Sequence, residues 1–557
     1  MTSPGRPSAS VAIAIALAAL LVSAIVVGLF VAGSSGGTSL KALGPPRFAD
    51  IRATSGIDHR YEGDFQHAVG GGVAAFDCDD DRRPELYLAG GSAAAAMYHN
   101  DSSPGAPPSF TPLDRAELAL SGVTGAYPLD IDSDGMTDLA VMRVGEDVLL
   151  RGLGGCRFER ANEAWGFDGG DAWTTAFSAT WEPGATWPTL AFGSYLMLTG
   201  GQPDRSGCAD GVFLRPAATG APYTETVPLS PSWCSLSLQF SDWSRTGQRD
   251  LRVSNDRHYY SDYSDGQEQL WRVVPGEPPR QYTADDGWQR VRVEGMGIAS
   301  QDVTGDGLPE VYLTSQAASR LETLASGPER PEYRNMAHEA GVEGAQPSVG
   351  DEHLPSTAWH AQFEDVNNDG LMDLFVTKGN VDAQPGYAQH DPNELYLGQP
   401  DGTFQVRTAD AGILDVERSR GASLVDLDLD GLLDLVVVER NAPAGVWWNL
   451  GAGEPGTPVL MGHWLGIELA QAGTNHDAVG AWIEVRSDGR TIAREVTVGG
   501  GHASGALVPV HVGLGTATRA EVRVQWPGGD WGPWMPVDAD RYVVIERGAA
   551  APVPVSP

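Results

Sequence analysis

The chain has 557 residues, with Lys+Arg 37 against Asp+Glu 73, a formal net charge of −36 at pH 7. That charge excludes nucleic acid as a partner, because phosphates would be repelled. The length exceeds one ordinary core unless the architecture repeats, and 70 Gly and 38 Pro between short apolar runs favour an all-β chain with many turns.

In chain order, residues 1–10 read as a short cytoplasmic tail and 11–31 as a transmembrane anchor, since Val11 to Val31 carries no charge. As a helix this run spans about 31 Å, enough for a bilayer core. A cleaved signal peptide, cut near Val31-x-Gly33, is the alternative. Residues 32–46 form a linker, and the folded part is expected outside the cytoplasm, secreted if the segment is cleaved.

From residue 47 to 455 one acidic pattern recurs. FDCDDDRRPELYLA carries Asp77, Asp79, Asp81 and Glu85. LDIDSDGMTDLAV carries Asp130, Asp132, Asp134 and Asp138. SQDVTGDGLPEVYL carries Asp302, Thr304, Asp306 and Glu310, FEDVNNDGLMDLFV carries Asp365, Asn367, Asp369 and Asp373, and LVDLDLDGLLDLVVV carries Asp426, Asp428, Asp430 and Asp434. A weaker copy keeps Asp242, Ser244, Thr246, Gly247 and Asp250, and SATWEPGATWPTLAFG has flanking strands without acids. A second signature alternates with the first: FADIRATSGI, FERANEAWGF, YRNMAHEAGV and FQVRTADAGI. Repeats of this length, with several short strands each, fit blades of a β-propeller, and seven units imply seven blades. The segment near Phe48 is expected to donate a strand to the last blade, removing the sheet edges.

The spacing explains why like charges are crowded. Positions 1, 3 and 5 of Asp-x-Asp-x-Asp-Gly converge inside a tight loop, glycine at position 6 permits the turn, and the acid at position 9 completes an oxygen shell suited to Ca2+. An EF-hand would place its last acid at position 12 and flank the loop with helices; here a strand follows at once. These loops predict about four or five bound calcium ions. In the loop at Asp77, Arg82 replaces the glycine.

Cys208 and Cys234 fit a disulfide closing one loop, while Cys78 and Cys156 either pair or remain buried thiols. Residues 463–548 read as a separate β-rich, sandwich-like domain, from the alternation in AWIEV, IAREVTV and AEVRVQW, with 549–557 as a flexible tail.

The acidic loops resemble FG-GAP (VCBS) repeats, the calcium-loop blades of integrin α-chain propellers. Asn475 to Ala481, Gly500 with Gly501, His511-Val-Gly-Leu-Gly515 and Trp526-Pro-Gly resemble an ASPIC/UnbV domain, with Val512 where that family usually has an aromatic. The order of anchor, propeller and ASPIC/UnbV is similar to the cartilage acidic protein-like family. The resemblance implies an extracytoplasmic calcium-binding module for adhesion or recognition of a protein or carbohydrate ligand on a propeller face, with no established reaction.

The alternative is a hydrolase or lyase acting on polysaccharide in the propeller channel. Residues 255–272 (Asp256, Arg257, His258, Tyr259 and Asp262 among them) exceed what a hairpin needs, and His67, His353 and His360 could share one face. Solvated loop polarity accounts for both. The acids Asp351, Glu352, Asp415 and Glu417 lie outside the loops, but nothing in the sequence pairs them. No nucleophile elbow, Walker motif or HExxH occurs, so no catalytic residue is assigned.

Overall fold

The computed structural model describes residues 41–217, 222–256, 266–344, 356–382 and 386–556. The transmembrane segment expected at 11–31 lies outside these residues, as do Arg257, His258, Tyr259, Asp262, Asp351, Glu352 and His353. Among the described residues no helix is long and apolar enough to cross a membrane.

Among the described residues, seven four-stranded antiparallel units follow one another. Unit 1 is Val73–Phe76, Glu85–Leu88, Ala96–Asn100 and Phe110–Leu113. Unit 2 begins with Val123–Leu129 and Asp138–Gly145, unit 3 with Ala172–Thr180 and Thr189–Ser194, and unit 4 with Ser235–Ser241 and Asp250–Asn255. Unit 5 begins with Gly295–Gln301 and Glu310–Ser315, unit 6 with Ala358–Glu364 and Asp373–Lys378, and unit 7 with Ser419–Val425 and Asp434–Glu439. The first strand of each unit packs beside the first strand of the next, and Ser419–Val425 packs beside Val73–Phe76, so the cycle closes. Unit 7 takes its fourth strand from the other end of the chain, with Phe48 opposite Asn449 and Asp50 opposite Trp447.

The sequence signatures explain the units. Each acidic loop joins the first and second strands, and apolar stretches such as LVVV bury on both faces. The aromatic-to-glycine signature is the fourth strand and its turn. Phe404–Val406 leads into Thr408–Ala411, which ends on Gly412 at φ 81, a conformation favouring glycine. The unit without acids joins its strands through a loop in which Trp181 and Trp187 are buried and Glu182 pairs with Arg215 at 2.6 Å. Here an ion pair and two indoles stand where the other units place carboxylates.

Both disulfides form: Cys78–Cys156 joins the first acidic loop to unit 2, and Cys208–Cys234 joins unit 3 to unit 4.

Three buried acids away from the acidic loops, Asp147, Glu268 and Glu439, are each pushed up to about 8, by burial first. Ordinary carboxyls titrate near 4 in an unfolded chain, so the folded state holds these protons longer and loses stability as pH rises from about 5 to 8. Calorimetry across that range should show a falling unfolding temperature. Glu439→Gln, which stays neutral, should flatten the fall; an unchanged slope would refute this assignment.

Residues 463–555 form two facing four-stranded sheets. One orders Val510–Gly515, His463–Ala470, Arg541–Glu546 and Val553–Val555; the other orders Arg490–Glu495, Trp482–Ser487, Arg519–Gln525 and Met535–Asp538. Leu465, Ile467, Ile483, Val485, Val522 and Ile545 fill the space between them. Two boundaries need correction. Residues 553–555 of the expected free tail pair with Tyr542–Val544 as an edge strand. At the end of the expected linker, the Leu43 amide donates to Asp369 Oδ2 at 2.8 Å and the Gly44 carbonyl accepts from Asn367.

The sandwich sits on the end of the ring that carries the acidic loops, and residues 497–508 run from it into the axial channel. Gly505–Leu507 pairs in parallel with Val73–Phe76, and single bridges join Ser504 to Ala126, Val498 to Ala179, Gly499 to Gln239 and Gly501 to Ile298. The His502 amide donates to His360 Nδ1 at 3.1 Å, and Ser504 lies against Gly421. This strap therefore touches the first strand of every unit.

Candidate metal centres

All the acidic loops share one hydrogen-bonded framework. The first acid accepts amides from later in its own turn: Asp426 from Asp430 and Gly431, Asp365 from Asp369 and Gly370, Asp130 from Asp134 and Gly135. Asp302 accepts from Gly305 and Gly307, and Asp77 from Asp79, Asp80 and Arg82. The fifth position caps the seventh: Asp430 holds the Leu432 amide, Asp369 that of Leu371, Asp134 that of Met136, Asp306 that of Leu308 and Asp81 that of Arg83. Arg82 adopts φ 73, close to the 90° of Gly431, so the missing glycine does not stop the turn.

The ninth acid does more than the sequence indicates. Asp434 accepts the Leu427 amide and, across the sheet, the Asn449 amide at 2.7 Å; Asp138 does the same with Ile131 and Gly152, and Asp373 with Val366 and Gly398. Glu85 takes the Cys78 amide, and Glu310 those of Val303 and Thr304. These acids tie the loop to its strands while keeping lone pairs free.

Burial makes the clusters electrostatically costly. Asp426, Asp430 and Asp428 are pushed up to about 6, 7 and 9, chiefly by loss of water and, for Asp428 and Asp430, then by neighbouring carboxylates. Asp138 and Glu85 rise to about 8 and Glu310 to about 7; Asp434, Asp365 and Asp373 lie well above the carboxylate range, all mainly through burial. A hard cation would supply the missing solvation.

The third position gives the sharpest fit to such an ion. Asp428 Oδ1, Asp132 Oδ1 and Asp79 Oδ1 are buried with no protein partner, each at the third place of its motif. Oxygens of Asp426, Asp428 and Asp434 lie within 4.8 Å of one another, as do those of Asp130, Asp132 and Asp138, and of Asp77, Asp79 and Asp81.

The sequence treats the loops at Asp130, Asp365 and Asp426 alike, but the structure separates them. Arg151 lies 2.7 Å from both Asp132 and Asp134, and His476 lies 2.7 Å from Asp130, so this loop already holds compensating donors. In the loop at Asp77, Arg83 pairs with Asp81 and His99 approaches Asp79 at 3.1 Å. Asp428 accepts from the Trp448 indole, at 3.1 Å, and has no ion pair among the described residues. At the third position of the loop at Asp302, Thr304 turns its hydroxyl to Glu310; Asn367 fills the third position of the loop at Asp365.

Of the histidine grouping, only His67 and His360 fall among the described residues. His360 is buried with Nδ1 taken by the His502 amide, and His67 is buried with neither nitrogen bonded. His502 was not singled out from the sequence; its sole signal is the glycine run before it. Asp415 pairs with Arg52 at 2.6 Å.

Residues 365–437 match the family described as FG-GAP-like repeat, and residues 471–552 match ASPIC and UnbV. A comparison with curated proteins found no match. Among solved structures, the chain is similar to BBS1N in complex with ARL6DN at 10% identity and TM-score 0.40, covering 72% of this chain and 95% of that one. A lectin of Agrocybe aegerita recognising non-reducing terminal N-acetylglucosamine aligns at 15% identity and TM-score 0.30, covering 74% and 89%. The rhamnogalacturonan lyase YesW aligns at 10% identity and TM-score 0.34, covering 74% and 75%. The matches thus place an FG-GAP-like repeat within the ring, at residues 365–437, and an ASPIC and UnbV domain in the C-terminal sandwich, at residues 471–552.

Proposed function

We propose that this chain is a calcium-bound, seven-bladed propeller tethered outside the cytoplasm by its N-terminal apolar segment. It acts as an adhesion or ligand-binding module and takes a protein or carbohydrate on the propeller end away from the C-terminal domain. One observation supports the choice of face: the sandwich covers the acidic-loop end and the strap enters the channel from that side.

The free end holds the connections from second to third strands and from fourth strands to the next unit. Those from Ser194 to Gly211, Asn255 to Gln269 and Lys378 to Glu394 are long. Large apolar side chains stand exposed on the same end: Phe65 at 40%, Met197 at 41%, Tyr387 at 63% and Leu414 at 60%. Aromatic and apolar groups on loops held by a rigid ring suit recognition.

Binding to immobilised glycans and extracellular proteins, with calcium present, tests this reading. Tyr387→Ala should weaken capture about tenfold or more while leaving the unfolding temperature unchanged, as for an exposed contact residue. Capture that persists in Tyr387→Ala and Phe65→Ala, or is blocked by antibody bound to the sandwich, would place the site elsewhere.

A further inference from the structure

We infer that calcium in the acidic loops and docking of the C-terminal domain are one coupled equilibrium, the domain holding the loops' own carboxylates in place. This rests on the calcium reading above and adds its regulation: loss of the ion loosens the sandwich and its strap.

The contacts are specific to the loops. Tyr542 of the sandwich donates its hydroxyl to Asp426, on the same oxygen that accepts the Gly431 amide. Trp464 packs against Gly431 so closely that an added Cβ would meet it at 2.0 Å. His511 bonds Asn368 at 2.6 Å, and Arg490 donates to the Gly370 carbonyl, both within the turn at Asp365. Arg82 reaches Glu468 at 3.3 Å, and the Asp242 amide donates to Glu495 at 2.9 Å.

Besides Gly370, Gly431 and Arg82, two further residues under the sandwich have left-handed backbone. Asn368 has φ 61 and Leu429 φ 57, and Leu429 is buried among Trp464 and Tyr542. A leucine tolerates that conformation only where its surroundings fix it. The loop at Asp426 therefore presents an apolar tip to the sandwich and its carboxylates inward. Asp428, 1% exposed and with Oδ1 unpartnered, points to the ion position independently of the cluster itself.

An ion drawing Asp426, Asp428 and Asp434 together fixes the turn that carries Leu429, and hence the surface on which Trp464 and Tyr542 rest. Tyr542 in turn orients Asp426, as outer groups orient metal ligands elsewhere. Reciprocity follows from linkage: whatever factor docking adds to ion affinity, the ion adds to docking.

The test uses the full chain in detergent micelles. Terbium substitutes for calcium, and the component of its tryptophan-sensitised luminescence that is lost in Trp448→Phe reports the loop at Asp426. Tyr542→Phe should weaken terbium at that loop about tenfold or more. Hydrogen exchange on the unaltered chain gives an independent readout. Chelation should speed exchange at the Gly500, Gly501 and His502 amides more than at the Leu424 amide of the ring itself. If ions bind, yet Tyr542→Phe keeps full affinity and chelation leaves strap exchange in step with the ring, coupling is wrong and the calcium reading survives. If no ion binds, both fall.

Discussion

Chelating calcium is expected to lower the unfolding temperature of the chain by on the order of 10 °C. An ion that binds only the folded state at about a hundred times its Kd adds about 2.7 kcal/mol, and several loops add together. For a chain of this size each kcal/mol moves the midpoint by about 1–3 °C. The loop at Asp426 should dominate, because among the described residues no cationic side chain pairs with Asp428, whereas Arg151 offsets Asp132 and Asp134. Asp428→Asn should weaken that ion by at least about tenfold, since a neutral amide replaces a charged ligand. Without calcium the same variant should melt at or above the parent, because a crowded carboxylate has been removed. Scanning calorimetry with and without chelator, on both proteins, decides the matter. A parent indifferent to calcium would return the acidic loops to hairpin turns.

The second large effect concerns glycines that make room for the strap. Five residues before the first acid of four loops stand Gly72, Gly125, Gly297 and Gly421. A Cβ on Gly72 would lie 1.7 Å from the Ala503 carbonyl oxygen, one on Gly125 2.1 Å from the same atom, and one on Gly421 2.3 Å from Ser504 Oγ. The obstacles are largely backbone, so the strap must move. Gly72→Ala or Gly125→Ala should cost about 3 kcal/mol or more, at or beyond the usual range for overpacking. Protease cleavage within residues 497–508 should follow while the ring still melts cooperatively. If Gly125→Ala leaves both stability and cleavage unchanged, the strap does not occupy the channel.

Legibility in the sequence divided by range. The acidic loop and the aromatic-to-glycine turn are complete within about ten residues each, so strand, turn and repeat could be read directly. The weak unit at Asp242 was legible too: it keeps the Asp242 framework to Thr246 and Gly247, but its ninth acid, Asp250, holds Trp243 and Tyr282. Hidden were the pairings between distant segments. Nothing local to GGGHASG says that His502 will meet His360, or that Tyr542 will rest on Asp426. Arg151 was invisible for a related reason, since it reaches Asp132 from a neighbouring strand. The glycine five residues ahead of four of the first acids was a readable signal, though it acquires meaning only once the strap is known to enter the channel.

The strand that closes the ring sets a kinetic order on assembly. Phe48 is made early and pairs with Asn449, some 400 residues later, so its partner does not exist for most of synthesis. Non-local pairing of this kind carries a large loop-closure entropy and slows folding. The strap adds a second late event, because Val498 to Leu507 can seat only after the walls they touch have formed. The molecule thus spends its early life as an open array of sheets with one exposed edge at unit 7, and translation truncated before Gly445 leaves that edge permanently bare and prone to self-association.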